Sequence, residues 1–310
     1  MNFLVGGGSG FIGRSLVSSL RSTGHKVRVI SRKPKDVNDL SWESIRKNGL
    51  PKDVDVIVNL SGRNIGEINP SFFIKQNYQK YIDEVFSSRL DTTRLLVDLS
   101  KSAPIKAFIN ASAIGFYPPD PKATYDESTP FRDHDWITSL VKQWEDAAQI
   151  PSRPDIRQIQ LRTGIVLSKD SNLIRSFRLI YLLGFCNPIG TGHQWVSWIH
   201  LHDMVRIIEY VADPKQVFSS GPVNCTAPEP VSQVTLAKAM SQSLGAPSNF
   251  LSNISTPPFI FTCLLGRDRA TLVLDGQHVI PKKLLNSGFE FTYPTLADAF
   301  ENIFGRRPRL

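Results

Sequence analysis

The chain has 310 residues, 41% of them hydrophobic and 21% charged, the proportions of an ordinary globular protein. No run of about 18 apolar residues occurs, so neither a membrane span nor a membrane partner is expected. The net charge of +8 is spread along the chain instead of forming one basic patch, which argues against nucleic acid and suits an anionic cofactor.

Met1 leads directly into a strand-like segment, with no leader pattern, so a cytoplasmic location is expected. Residues 2–6 form a short apolar run ending at Gly6. Gly7-Gly8-Ser9-Gly10-Phe11-Ile12-Gly13 follows and opens a helix in which Leu16, Val17 and Leu20 share one face, ending near Gly24. Residues 26–30 form a second strand. Between a strand and a helix, such glycines permit a tight turn and let backbone amides approach a pyrophosphate. Gly7, Gly10, Phe11, Ile12 and Gly13 are therefore candidate cofactor-binding residues.

An NAD binder usually ends its second strand with Asp or Glu, which holds the ribose 2′-hydroxyl. Here that place reads Ser31-Arg32-Lys33-Pro34, and the first acid is Asp36. A guanidinium suits a 2′-phosphate, so Ser31 and Arg32 point to NADP.

Residues 54–60 read as a buried parallel strand, and Leu60, Ser61 and Gly62 at its end are candidates to line the cofactor. A helix over 81–100 offers Val85, Leu95, Leu96 and Leu99 to a core. A strand over 105–111 leads into Ser112-Ala113-Ile114-Gly115-Phe116-Tyr117. A helix over 136–149 and a strand over 156–163 complete the alternation. This is the pattern of an α/β fold: a Rossmann doubly wound parallel sheet.

At this point the chain resembles the short-chain dehydrogenase/reductase superfamily in its extended, epimerase-like form, over nearly its whole length. GGGSGFIG (6–13), SRKP (31–34), VNLSG (58–62), SSRLDTT (87–93), SAIGFY (112–117), WEDAA (144–148) and HQWVSWIHLHDMV (193–205) carry the resemblance. NCTAP (224–228), VIPKKLLNSGFEF (279–291) and YPTLADAF (293–300) narrow it to an atypical group likened to sugar-nucleotide epimerases. The resemblance implies a Rossmann domain over 1–164 and a smaller substrate lobe over 165–310, with some segments returning to the first domain. It implies a small-molecule substrate, nucleotide-linked among the candidates, and a homodimer as the assembly to expect.

In that superfamily a Tyr acts as general acid/base, a Lys four residues on lowers its pKa from about 10, and a Ser hydrogen-bonds the substrate oxygen. None of the seven tyrosines here is followed by Lys at that spacing. Aligned on Glu145, the Tyr and Lys places fall on Ile137 and Val141, with Lys142 one step away. Ser112 matches the superfamily serine, and Tyr117 matches a tyrosine that is structural or substrate-facing; these two are the catalytic candidates. Glu84 and Arg89 on the helix after the VNLSG strand, and Thr163 and Val166 after the sixth strand, are further cofactor-binding candidates by resemblance.

Beyond Gly164 the alternation weakens. His200 and His202 on one strand would face the same way, but the superfamily carries a similar His-x-x-Asp segment without metal, so no metal is expected. Asp203 reads as a helix N-cap, residues 231–244 as an amphipathic helix ending at Gly245, and residues 257–265 as an apolar, proline-paired segment packing on the lobe. Cys186, Cys225 and Cys263 lack zinc spacing and read as buried residues of a reducing compartment. The basic tail Arg306-Arg307-Pro308-Arg309 reads as a solvated terminus.

Two functions stay open: an NADP-dependent oxidoreductase or epimerase, with Ser112 orienting the substrate and Tyr117, Lys142 or Arg89 as polar partners, and a non-catalytic NADP(H)-binding sensor or scaffold. A methyltransferase is disfavoured, because the acid it needs after the second strand is missing.

Overall fold

The computed structural model describes residues 1–34, 36–65, 75–182, 188–245, 255–265, 270–271 and 274–309. In chain order the elements are β1 (Asn2–Gly6), α1 (Phe11–Ser22), β2 (Lys26–Ser31), β3 (Leu40–Ser41), α2 (Trp42–Asn48), β4 (Val56–Asn59), α3 (Lys75–Ser100), β5 (Ala107–Ala113), β6 (Thr124–Tyr125), α4 (Trp136–Ala147), β7 (Arg157–Thr163), β8 (Ile165–Leu167), α5 (Asn172–Leu182), β9 (Trp195–Val196), β10 (Trp198–His200), α6 (Leu201–Ala212), β11 (Gly221–Cys225), β12 (Val231–Ser232), α7 (Gln233–Leu244), α8 (Pro258–Leu265) and β13 (His278–Val279). Two more helices, Lys282–Asn286 and Leu296–Phe304, follow.

Seven strands form a parallel sheet in the order β11-β7-β5-β4-β1-β2-β3. The order reverses between β1 and β4, and that is where a crevice opens at the carboxyl edge of such a sheet. Register places Ile30, Gly6, Asn59 and Asn110 level across four neighbouring strands. The central strands are apolar on both faces because helices cover both, so Leu4, Ile57 and Phe108 are fully buried. They pack with Leu96 of α3 and with Ile30, Ile150 and Ile156.

The chain divides into two compact units. The first comprises 1–116, 131–162 and 204–223; the second comprises 117–130, 163–203 and 224–310. The second has its own core, in which Leu236 and Met240 of α7 meet Phe300 and Ile303 of the last helix, with Trp198 and Leu167.

Several expectations need correction. Helix α3 begins at Lys75, six residues before the expected start at 81; Tyr78 in the added turns packs against the cluster of Tyr81, Val85 and Leu140. Asp203 lies inside the first turn of α6 and is fully buried, where it accepts hydrogen bonds from the amides of Thr292 (2.9 Å) and Tyr293 (2.8 Å). His200 ends a strand while His202 lies on the helix after it, so the two do not share a strand face. Cys225 is buried, but Cys263 on α8 is exposed, as is Phe259 beside it; Cys186 lies outside the described residues. The basic tail is exposed at Arg306, Arg307 and Arg309, as expected, and Arg307 also pairs with Asp298 and Glu301, each at 2.8 Å. Helix α7 ends as read, with Gly245 in the left-handed conformation at its C-cap.

Candidate active site

The turn after β1 is built by glycine. Gly7 has φ +73°, and a Cβ there would lie 2.7 Å from the carbonyl oxygen of Leu60, so this position excludes any side chain. A Cβ on Gly13 would meet the Gly7 carbonyl oxygen at 2.3 Å; its absence lets α1 press onto the turn. Gly10 caps α1 without a side-chain hydrogen bond, and the first turn of α1 contains no acid. The helix therefore presents unsatisfied amides and the positive end of its dipole at the carboxyl edge of the sheet. Phe11 and Ile12, on the first turn, are half-buried.

Beside this turn, the end of β4 supplies Leu60, Ser61 and Gly62. The buried Ser61 Oγ has no hydrogen-bond partner among the described residues, and a Cβ on Gly6 would lie 3.0 Å from it. Gly62 lies against Arg89 of α3: a Cβ on Gly62 would meet the Arg89 Cζ at 3.0 Å. Arg89 is only 8% exposed. Its Nη1 donates to the Val85 carbonyl at 3.1 Å, its guanidinium lies 5.0 Å from the Trp144 ring centroid, and its buried Nε has no partner among the described residues. Burial pulls its pKa down to about 10, so it remains a cation at neutral pH. Glu84, one turn earlier on α3, is half-buried and ion-paired with Arg63.

Ser31 ends β2 and is buried, while Arg32 just beyond it is exposed. The nearby acids are engaged elsewhere: Asp36 pairs with Arg21 at 3.3 Å, and Asp39 accepts from the amides of Val29 and Asp36. The end of β2 thus presents a cation.

The platform beneath is a closed polar network. Asn59 Nδ2 donates to Asn110 Oδ1 at 2.8 Å and to Thr93 Oγ1 at 2.9 Å, and Trp144 Nε1 donates to the same threonine oxygen at 3.1 Å. Asn59, Thr93 and Asn110 are fully buried, so the network fixes the strand ends in one arrangement.

At the end of β5, Ser112 is buried and donates to Glu145 Oε1 of α4 at 2.6 Å. Arg162 of β7 grips the same carboxylate through Nε and Nη2, each at 2.8 Å, and its Cζ lies 3.4 Å from the Phe116 ring centroid. Ile137 and Val141, in the superfamily's Tyr and Lys places, are buried and pack on Gly115, where a Cβ would meet Ile137 Cγ2 at 2.8 Å. Lys142 does not replace the missing lysine, for its ammonium is paired to Asp146 at 2.6 Å on the outer side of the helix.

Tyr117, the second catalytic candidate, falls in the second unit. It is fully buried, its hydroxyl lies 2.8 Å from Asn224 Oδ1 and 3.0 Å from the Asp126 carbonyl, and its ring stacks on Tyr125 at 5.0 Å. These contacts hold its ring and hydroxyl in place. Thr163 closes β7, and Val166 lies on β8, paired in register with Ile199 of β10; both are half-buried. Glu145 and Arg162 escaped the sequence reading as site residues. The available signal was a charged residue on each of two otherwise buried segments, which burial tolerates only in pairs.

A glycine turn after the first strand of a doubly wound parallel sheet, with a serine at the end of β5, defines a Rossmann protein of the short-chain dehydrogenase/reductase class. Residues 3–136 match the NAD dependent epimerase/dehydratase family, and residues 256–303 match a domain of unknown function, DUF1731. Epimerase family protein SDR39U1 of Homo sapiens is 36% identical over 98% of this chain and 99% of its own length. The crystal structure of human SDR39U1 (isoform 2) with NADPH superposes with a TM-score of 0.89 at 35% identity, covering 99% of this chain and 100% of that one. A nucleoside-diphosphate sugar epimerase from Corynebacterium glutamicum superposes with a TM-score of 0.74 at 25% identity, covering 99% of this chain and 59% of that one. The chain belongs to the epimerase family proteins of the short-chain dehydrogenase/reductase superfamily. Among the described residues no helix is long and apolar enough to cross a membrane, and no group of three or more His, Cys, Asp or Glu side chains could hold a metal ion.

Proposed function

We propose that this chain binds NADP(H) at the carboxyl edge of its sheet and works as an oxidoreductase or epimerase on a small, nucleotide-linked substrate. The observation that carries the reading is Arg89, a buried cation whose Nε has no partner among the described residues, beside Gly62 and the orphaned Ser61 hydroxyl. Burying a cation without an anion is costly, so the site is built to be completed by an anionic ligand. An adenine dinucleotide fits. In this reading the amides of the turn from Gly7 through Gly10, Phe11, Ile12 and Gly13 hold the pyrophosphate, and Leu60, Ser61 and Gly62 line its path. Ser31 and Arg32 take the 2′-phosphate, which no carboxylate at the end of β2 opposes. Glu84 and Arg89 face the cofactor from α3.

When bound, the nicotinamide supplies hydride chemistry. The chain's own contribution at that end is Ser112, held by Glu145, which orients the substrate oxygen. The NADPH of the human relative and the sugar-nucleotide chemistry named for the Corynebacterium neighbour support this choice of cofactor and substrate class. Assay of the purified protein with NADP(H) against alcohols, carbonyls and nucleotide sugars tests it. Turnover that Ser112→Ala weakens is the expected result.

A second reading, an NADP(H)-binding sensor without turnover, is favoured by Ile137 and Val141, which leave no general acid in the usual place. It forecasts cofactor binding with no turnover on that panel, and a protein partner whose affinity follows the redox state of the cofactor.

A further inference from the structure

We infer that Glu145 and Arg162 set the hydrogen-bonding polarity of Ser112, so that the group bound against Ser112 is a hydroxyl or an N–H rather than a bare carbonyl oxygen. A serine hydroxyl has one proton to donate and two lone pairs to accept with, whereas a carboxylate only accepts. Ser112 Oγ lies 2.6 Å from Glu145 Oε1, and Glu145 cannot rotate away, because Arg162 Nε and Nη2 hold both of its oxygens at 2.8 Å. Such a bidentate, charge-assisted grip fixes the plane of the carboxylate. The one proton of Ser112 is therefore committed inward, and what Ser112 offers a ligand is lone pairs.

The surroundings do not undo this. Ser112 lies one residue before the end of β5, at the carboxyl edge of the sheet, where ligands of open α/β sheets bind. The neighbouring positions that would hold a phenol and an ammonium are Ile137 and Val141, which bring no competing donor or acceptor. Glu145 and Arg162 are positioning residues here: they act on the ligand through Ser112. The site accordingly selects the alcohol member of an alcohol–carbonyl pair. This inference deepens the proposed function and rests on its placing of the substrate beside Ser112.

The test is ligand-observed saturation-transfer NMR on the full chain with saturating NADP, using cyclohexanol and cyclohexanone as probes, after NADPH binding has been established by tryptophan quenching. The wild type is expected to hold cyclohexanol about fivefold more tightly than cyclohexanone, the weight of one hydrogen bond. Ser112→Ala brings the ratio to about one while NADPH affinity stays unchanged. Glu145→Gln alone leaves Arg162 facing an amide and is liable not to fold, so the informative variant is the double substitution Glu145→Met with Arg162→Met. It removes the buried pair together and frees the Ser112 proton to point outward, and the ratio is again expected to fall to about one. Equal binding of the two probes by the wild type, a preference for the ketone, no binding of the alcohol, or a preference that survives the double substitution would each overturn the inference. None of these touches the cofactor reading, which fails separately if NADPH does not bind.

Discussion

Arg162 and Glu145 meet through two parallel hydrogen bonds of 2.8 Å in a place where the arginine is only 4% exposed. One comes from β7 and the other from α4, so the pair joins the sheet to a covering helix at the point where Ser112 leaves β5. Removing one partner strands a charge in the interior, at a cost of about 3–5 kcal/mol. Arg162→Met should therefore lower the urea midpoint sharply, whereas Glu145→Met combined with Arg162→Met should restore most of the loss. A double variant as unstable as the single one would show that packing, not charge, dominates this site.

Arg89 should behave in the opposite way. Its cation is buried, and Nε lacks a partner, so Arg89→Met should leave the cofactor-free protein as stable as the wild type or more so, since an expensive desolvated charge disappears. The same change should weaken NADPH binding about tenfold, because a charge-assisted hydrogen bond to the ligand is lost. Urea denaturation and a fluorescence titration on one variant measure both. A loss of stability with unaltered binding would make Arg89 a structural residue.

The glycine turn gives a steric prediction. Gly13→Ala places a methyl group 2.3 Å from the Gly7 carbonyl oxygen, and the backbone must move to admit it. The expected cost is about 1–3 kcal/mol of stability, with NADPH affinity reduced as well. Wild-type binding by this variant would mean that the turn is not the pyrophosphate site.

How much of this was legible beforehand follows from how local each signal is. The turn at Gly7, the polar end of β4 and the missing acid after β2 are spelled by adjacent residues, and short apolar runs alternating with helix-like stretches placed β1, α1, β2, β4, β5, α4 and β7. The partners of Ser112 were not legible, because Glu145 is 33 positions away on a helix and Arg162 lies on another strand. Tyr117 meets Asn224 across 107 positions, and Asp203 meets Thr292 across 89. Sequence shows that a buried polar residue needs a partner, but only the tertiary fold selects which one.

Acid should expose one of these buried groups. His200 is 5% exposed, in ring contact with Tyr293 at 4.0 Å and near His202 and Asp203. Burial lowers its pKa to about 4, below the 6.5 or so of an unfolded histidine. Between these values the unfolded state binds more protons than the folded one. The stabilising contribution is therefore full above about pH 6.5 and is lost as the pH falls toward 4, by about 2–3 kcal/mol. Urea midpoints of the wild type should drop over this window, and those of His200→Asn should drop less. Identical pH profiles would place the sensitivity elsewhere.

We propose that the cation at the end of β2 chooses the cofactor. Titration of the purified wild type and of Arg32→Ala with NADPH and NADH, followed by tryptophan quenching, addresses it directly. The wild type should bind NADPH at least about tenfold more tightly than NADH, and Arg32→Ala should lose that preference through weaker NADPH binding while NADH affinity stays the same. Equal affinities in the wild type, or an unaltered preference in the variant, would contradict the account.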